Sequence, residues 1–406
     1  MFRRFPPAFL PAIRRPVRQA LRLGPAALAL AALLLTACSA SDALRAARVA
    51  ASGNPSQAAV GVLKDKAVGY ALNPQAVVWD LKRVGRAFDT LRKAVGGVWG
   101  GEEAKEPSPR TYVKYTQSYK SRALVDFENG VVTVETVDED NPAESLKNAV
   151  VTTLLTPLDP RAVDLFSDQE VALSGRPFLL GEVRDFSGRA IDGPDRAEAF
   201  ARELLERSLQ IRTTREGKTV HFVAIPMVAD HLNLRAAKYQ PLVEEWSAKF
   251  GVSRNLVYAV MKTESDFNPY AVSSAGAVGL MQVVPGSAGR EAAARLGRSG
   301  TPTRDDLLDP AGNIAHGTAY LGLLQDKYFG AVESPVSREY CMIAAYNGGP
   351  GATLKVFDPD KAKAPDRINA KSPQDVYQSL RAKMPQDESR RYLVKVVEAR
   401  RLFVGL

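Results

Sequence analysis

Glu264 stands at the end of the run "SRNLVYAVMKTES", in which Val257, Val260, Met261 and Glu264 follow one another at helical spacing. Such spacing puts these side chains on one face of a helix, so the carboxyl extends an apolar stripe. Ser253 is a plausible N-cap for that helix. An ionised carboxylate against apolar walls is poorly solvated, which raises its pKa from about 4.3 toward the roughly 6 to 7 that suits a general acid. Glutamates at helix ends are also common on solvated surfaces, and periodicity alone leaves both readings open. Asp266, two positions on, points to another side of any continuing helix and cannot share the proton.

The residues that follow, "AVSSAGAVGLMQ", bring the hydroxyls of Ser273 and Ser274, the glycines Gly276 and Gly279, and the Gln282 amide beside the apolar Met281. Small side chains with hydroxyls and one amide suit a groove for a sugar chain, although a glycine-rich connecting loop has the same composition. His221, His231 and His316 do not have the spacing of a metal-ligand cluster, so no metal site is expected.

These groups need elements to hold them. Residues 38–110 read as a polar linker and then a helix whose Val77, Leu81, Val84 and Phe88 form one apolar stripe. The charged, proline-containing "GEEAKEPSPR" breaks that pattern, and the period then changes to two. In "SRALVDFENGVVTVET", Asn129-Gly130 between alternating runs predicts a two-residue hairpin turn. That register sets Phe127 opposite Val132 and Val125 opposite Val134 on a buried face, with Asp126, Glu128, Thr133 and Glu135 on a wet one. Further strands are predicted at "PFLLGEVRDF" and "TVHFVAIPMV", with a helix "DRAEAFARELLERSL" between them. From about Leu232 the periodicity is helical to the end. The predicted fold class is an α+β N-terminal domain over 111–231 followed by a mainly α domain over 232–406.

The first 37 residues differ from the rest. They carry Arg3, Arg4, Arg14, Arg15, Arg18 and Arg22 with no acidic residue, then the apolar run "LGPAALALAALLLTAC". That is the layout of a secretory signal over 1–37, and the run is short for a membrane span, which needs about 20 residues. An uncleaved anchor helix is the alternative. "LTAC", Leu35 to Cys38, resembles the lipobox of bacterial lipoproteins, which implies that Cys38 becomes the lipidated first residue of the mature chain. Ser39 behind it implies the periplasmic face of the outer membrane. Removing the six arginines takes the net charge from +9 to +3, so most of the basic balance belongs to the leader and no nucleic-acid partner is expected. Cys341 then has no intrachain partner, and the fold must hold without disulfides.

From Glu264 to Gln282 the pattern E-S-x-x-N-P-x-A-x-S-x-x-G-A-x-G-L-M-Q resembles the signature of soluble-lytic-transglycosylase-type domains, goose-lysozyme-like enzymes acting on peptidoglycan. "NIAHGTAYL", "AAYNGG" and "ESRRYLVKV" follow in the family's order. The runs "YVKYTQSYKSRALVDFENGVVTVET" and "VDLFSDQEVALSGRPFLLGEVRD" are similar to the N-terminal half of one membrane-bound branch of that family. The resemblance implies a lysozyme-like catalytic domain with Glu264 as catalytic acid. It also implies that Ser273 and Gln282 contact the acetylated sugar, that Met281 shapes the groove, that Tyr346 and Asn347 face the substrate, and that Tyr392 closes the site. Core aromatics, a helix cap and a loop amide are the alternative roles for the tyrosines, Asn347 and Gln282, and Glu388 is either a site residue or a cap of the last helix.

Glycosidases commonly use two carboxylates, about 5 Å apart in retaining and about 6.5–9.5 Å apart in inverting enzymes. Here the motif supplies one. The implied reaction is therefore cleavage of the β-1,4 bond between N-acetylmuramic acid and N-acetylglucosamine with closure of a 1,6-anhydro ring, without metal or organic cofactor. A hydrolase using Asp266, Asp305 or Asp306 as second acid is the alternative, as is a non-catalytic lipoprotein that grips glycan strands.

Overall fold

The computed structural model describes residues 74–405, with side chains from residue 84. The leader over 1–37, Cys38 and the side chains of Val77 and Leu81 lie outside the described residues. Helix α1 (Pro74–Trp99) carries the predicted stripe forward, with Phe88, Leu91, Val95 and Trp99 buried at three- and four-residue spacing.

The next segment builds a five-stranded antiparallel sheet from β1 (Thr111–Thr116), β2 (Ser121–Asp126), β3 (Val131–Thr136), β4 (Gln210–Thr213) and β5 (Thr219–Pro226), in the order β1-β2-β3-β5-β4. Helices α2 (Pro142–Leu155) and α3 (Pro194–Ser208) are inserted between β3 and β4. They cover one sheet face, where Val125, Phe127, Val132, Val134 and Val223 pack with Leu146, Val150, Phe200 and Leu204.

The β2–β3 register differs from the expected one. Val125 pairs with Val132, and Ala123 with Val134, so the hairpin loop has four residues and Phe127 belongs to it. The cause is Asp126: its carboxylate accepts the amides of Glu128 (3.1 Å) and Asn129 (2.9 Å), while its carbonyl accepts Gly130 N at 2.9 Å. Of the two turn residues only Gly130 adopts positive φ, so no type I′ turn forms. A slip of two residues leaves every side chain on its predicted face, and Phe127 is still buried.

The face expected to be wet is partly covered. Leu91, Val95 and Trp99 of α1 pack there on Val113, Tyr115 and Val220. Arg122 is fully buried with its guanidinium 3.9 Å from the Trp99 ring centroid, and it pairs with Glu135 and Glu103. Arg212 closes the network on Glu103 (2.8 Å) and Glu135 (3.2 Å), and holds the Glu103 carboxyl down at about 2. Alternating polar residues imply solvent only when nothing covers them; here a helix and matched charges do.

The predicted strand at "PFLLGEVRDF" is absent. Residues 177–186 form turns, with Gly181 at φ 84 and the amides of Glu182 and Val183 both bonded to Leu179 O. Glu182 is turned inward to meet Arg235 (2.8 Å) and Lys238 (2.5 Å), a role incompatible with a regular ladder.

The remainder is helical: α4 (His231–Ala237), α5 (Gln240–Phe250), α6 (Arg254–Ser265), α7 (Arg290–Arg295), α8 (Arg304–Leu308), α9 (Pro310–Leu323), α10 (Pro335–Gly348), α11 (Pro350–Lys355), α12 (Ala364–Asn369), α13 (Pro373–Lys383) and α14 (Asp387–Ala399). The chain is thus an α+β segment followed by a mainly α one. Helix α9 is buried on all sides from Asn313 to Gly322, and α6 packs on α14, which also packs on α10. Those three helices converge on Glu264.

Candidate active site

Helix α6 ends at Glu264-Ser265 because Asp266 and Phe267 both take left-handed backbone conformations, φ 53 and 58. Two such residues in succession are unfavourable without compensation. The Asp266 carboxylate meets Lys262 Nζ at 2.6 Å and Arg110 Nε at 3.8 Å, and its carbonyl accepts Arg235 Nη1 at 2.7 Å. Ser253 occupies the N-cap position of α6, but its side chain makes no capping hydrogen bond.

The polar residues that give the motif its pattern are largely pins. Ser265 is buried and donates Oγ to Leu280 O at 2.7 Å, tying the helix end to the loop. Asn268 receives Tyr270 N on Oδ1 and donates Nδ2 to Pro109 O at 3.0 Å. Ser273 Oγ accepts Ala277 N at 2.9 Å and closes the glycine-rich turn. Gln282, at φ 46, donates Nε2 to Gly279 O at 3.0 Å.

That loop is clamped from α9. Asn313 accepts Met281 N at 2.8 Å and donates to Val278 O (2.8 Å) and Leu307 O (2.7 Å). Gly279, at φ 75, is where glycine is required: a Cβ there would lie 2.2 Å from Asn313 Nδ2. The Met281 side chain is fully buried against Gly317, and its backbone carbonyl accepts the Tyr346 hydroxyl at 2.8 Å. The Tyr346 ring packs edge-on against Tyr320, and Asn347 Oδ1 accepts Ser389 Oγ at 2.7 Å.

Glu264, half-buried, sits among these groups. Burial pushes its carboxyl up to about 8; the nearby Tyr392 hydroxyl and Arg110 oppose that rise and the Glu388 charge adds to it. The Tyr392 hydroxyl is buried beside the carboxyl without a hydrogen bond of good geometry to any group. Both Tyr346 and Tyr392 are held well above the usual phenol range, by burial and by the Glu264 charge, so they are neutral donors. Of the other acids considered, Asp266 is consumed by Lys262 and Arg110, Asp306 is locked in a capping box with Thr303, and Asp305 is exposed on α8.

The structure therefore brings Glu264, Met281, Tyr346 and Tyr392 together directly, with Gln282 and Ser273 on the adjoining loop and Asn347 bonded to the start of α14. Arg110, Arg235 and Asn313 escaped sequence reasoning. Nothing in "SPRTY" or "NLRAA" indicates a contact with residue 263 or 266, whereas Asn313 opens a motif and carried some signal.

The family model for the membrane-bound lytic murein transglycosylase C N-terminal domain matches residues 77–238, and that for the transglycosylase SLT domain matches 241–369. Two relatives named membrane-bound lytic murein transglycosylase C come from Yersinia pestis (strain Pestoides F) and Yersinia pseudotuberculosis serotype O:1b (strain IP 31758). Each is 46% identical over 308 residues, covering 76% of this chain and 86% of its own. The crystal structure of the soluble lytic transglycosylase Slt70 from Escherichia coli is 26% identical over 41% of this chain and 24% of its own, with a TM-score of 0.32.

Proposed function

The chain belongs to the membrane-bound lytic murein transglycosylase C family and is a lytic transglycosylase that cleaves glycosidic bonds in peptidoglycan, and from that premise we propose that Glu264 is its general acid and then its general base. The observation that carries this reading is a half-buried carboxyl raised to about 8, beside an unpartnered tyrosine hydroxyl, with the neighbouring Asp266 neutralised by two cations. A carboxyl with that proton affinity is mostly protonated near neutral pH and is able to donate.

Protonated Glu264 gives its proton to the oxygen linking N-acetylmuramic acid to N-acetylglucosamine, and the C1–O bond breaks. The 2-acetamido group of the muramic acid stabilises the positive charge at C1, so no second protein carboxylate is needed. The ionised Glu264 next takes the proton of the C6 hydroxyl, whose oxygen bonds to C1 and closes the 1,6-anhydro ring. Tyr392 and Tyr346, neutral and buried, keep the pocket dry, and Tyr392, whose hydroxyl is not committed elsewhere, offers its dipole to the carboxylate as it forms. Ser273, Gln282 and Asn347 bind the acetylated sugar, and Met281 shapes the groove from beneath through its buried side chain and its bond to Tyr346.

Mass spectrometry of digested sacculi tests the reaction. Anhydromuramic ends are expected; reducing muramic ends without anhydro product overturn it in favour of hydrolysis. The division into a leader (1–37), linker and helix (38–110), α+β domain (111–231) and catalytic domain (232–406) belongs to the same proposal, as does lipidation of Cys38 and placement at the periplasmic face of the outer membrane. Labelled palmitate incorporated by the parent and lost in Cys38→Ala, together with release from the membrane fraction, is the expected result for the anchor.

A further inference from the structure

We propose that Arg110, in the segment leading into β1, is a positioning residue for the reaction: it holds the last turn of α6 and supplies the cation beside Glu264. The inference rests on the reading of Glu264 as the acid. Arg110 Nη2 donates to Thr263 O at 2.6 Å, the carbonyl that immediately precedes Glu264. Carbonyls in the last turn of a helix lack helical partners, and a cation there is favoured by the helix dipole. Its Nε faces Asp266 Oδ2 at 3.8 Å, an oxygen that is buried and has no hydrogen bond, so the ionic contact with Arg110 is what compensates it. The preceding residue, Pro109, accepts Asn268 Nδ2 at 3.0 Å. Two adjacent residues outside the helical half thus grip both ends of the 263–268 turn, and both strained residues, Asp266 and Phe267, lie between the grips.

The groups that set the charge state of Glu264 come from three directions. Helix α14 presents the Tyr392 hydroxyl and the exposed Glu388, α10 presents neutral Tyr346, and the β1 segment presents Arg110. Lys262 lies on α6 itself but is engaged by Asp266. Arg110 is the cation whose charge opposes burial at Glu264, and it is 28% exposed, with Glu128 at 3.4 Å as its solvent-side partner.

The test is the pH dependence of kcat/KM on purified sacculi at low ionic strength, with the full-length protein. A general acid is lost as pH rises through its pKa, so activity falls on the alkaline side. In Arg110→Gln the alkaline limb is expected to move to higher pH by about 0.5 unit, as for loss of a partly solvated opposite charge. Arg110→Lys, which keeps the charge, returns it to the parental position. Glu128→Gln, which removes an exposed anion and keeps the fold, moves it slightly to lower pH and serves if Arg110→Gln does not fold. An alkaline limb that stays at the parental pH in the folded variants, whatever happens to the rate, overturns the proposal. Full activity in Glu264→Gln would instead overturn the reading of the acid, so the two failures are distinct.

Discussion

Glu264 is held in a state that its own sequence position does not explain. The stripe of Val257, Val260 and Met261 removes water from one side of it, and Tyr346 and Tyr392 remove it from the other. The native protein therefore binds the proton of this group more tightly than the unfolded chain does. That contribution to stability is fully present below the unfolded value of 4.5 and is lost as pH rises through about 8. Glu264→Gln keeps the shape but cannot ionise. Its melting temperature, measured across pH by differential scanning calorimetry, is expected to exceed the parent's by a margin that widens from about pH 5 to about pH 9. The same variant is expected to lose activity on sacculi by about 10³-fold, within the usual range for general acids, as read by release of anhydromuropeptides. Tyr392→Phe removes the lone hydroxyl that faces the carboxyl. Its expected signature is a lower kcat with KM nearly unchanged, since the dipole matters most when the carboxylate forms.

At the scale of elements, the loop over 273–282 and the helix α9 behave as one part. Asn313 of α9 ties two backbone groups of the loop, Met281 N and Val278 O, and also Leu307 O of α8, and Gly279 and Gly317 provide the close approach. This gives the glycines unequal importance, which a pair of substitutions exposes. Gly297 and Gly279 both have positive φ, near 74 and 75, but a Cβ at Gly297 meets nothing within 4 Å. Gly297→Ala should cost about 1–2 kcal/mol for the backbone alone. Gly279→Ala should cost about 1–3 kcal/mol more through the collision with Asn313 and Leu307. Urea denaturation of both variants reads the difference, and equal losses would remove the packing argument. The hairpin makes a related point: Asn129-Gly130 marks a turn correctly, yet Asp126 decides its length by capturing two amides.

The two halves are not independent at the scale of the molecule. Tyr270, five residues beyond the α6 terminus, is buried in the core of the sheet half, its ring centroid 5.0 Å from that of Tyr112 and 5.4 Å from that of Phe178, and its hydroxyl donates to Pro157 O. Arg235, Glu182 and Lys238 form a buried charged cluster that also reaches Phe127 O and Asp266 O. A fragment beginning at residue 232 therefore exposes Tyr270 and leaves the 263–268 turn without Pro109 and Arg110. It is expected to melt lower than the full chain, to bind a hydrophobic dye, and to lose most of its activity. Thermal melts and muropeptide release measure both, and a fragment as stable and active as the parent would contradict the dependence.

The helices around the site were legible because a helix records its buried face in the spacing of its own residues, as in 254–265 and 387–399. The candidate acid was legible for the same reason: Val257, Val260, Met261 and Glu264 are neighbours on one helix. The ordered motifs from Glu264 to Val396 pointed to the family. What only the tertiary structure decided are contacts between residues far apart in the chain, for which no local pattern exists. Arg110 on Thr263, Tyr270 in the sheet core, Glu182 pulling 177–186 out of a strand, and Trp99 covering the face expected to be wet are all of this kind. Periodicity states which side of an element avoids water; which partner covers it, and whether a polar residue finds a matched charge there, is settled only when the chain closes on itself.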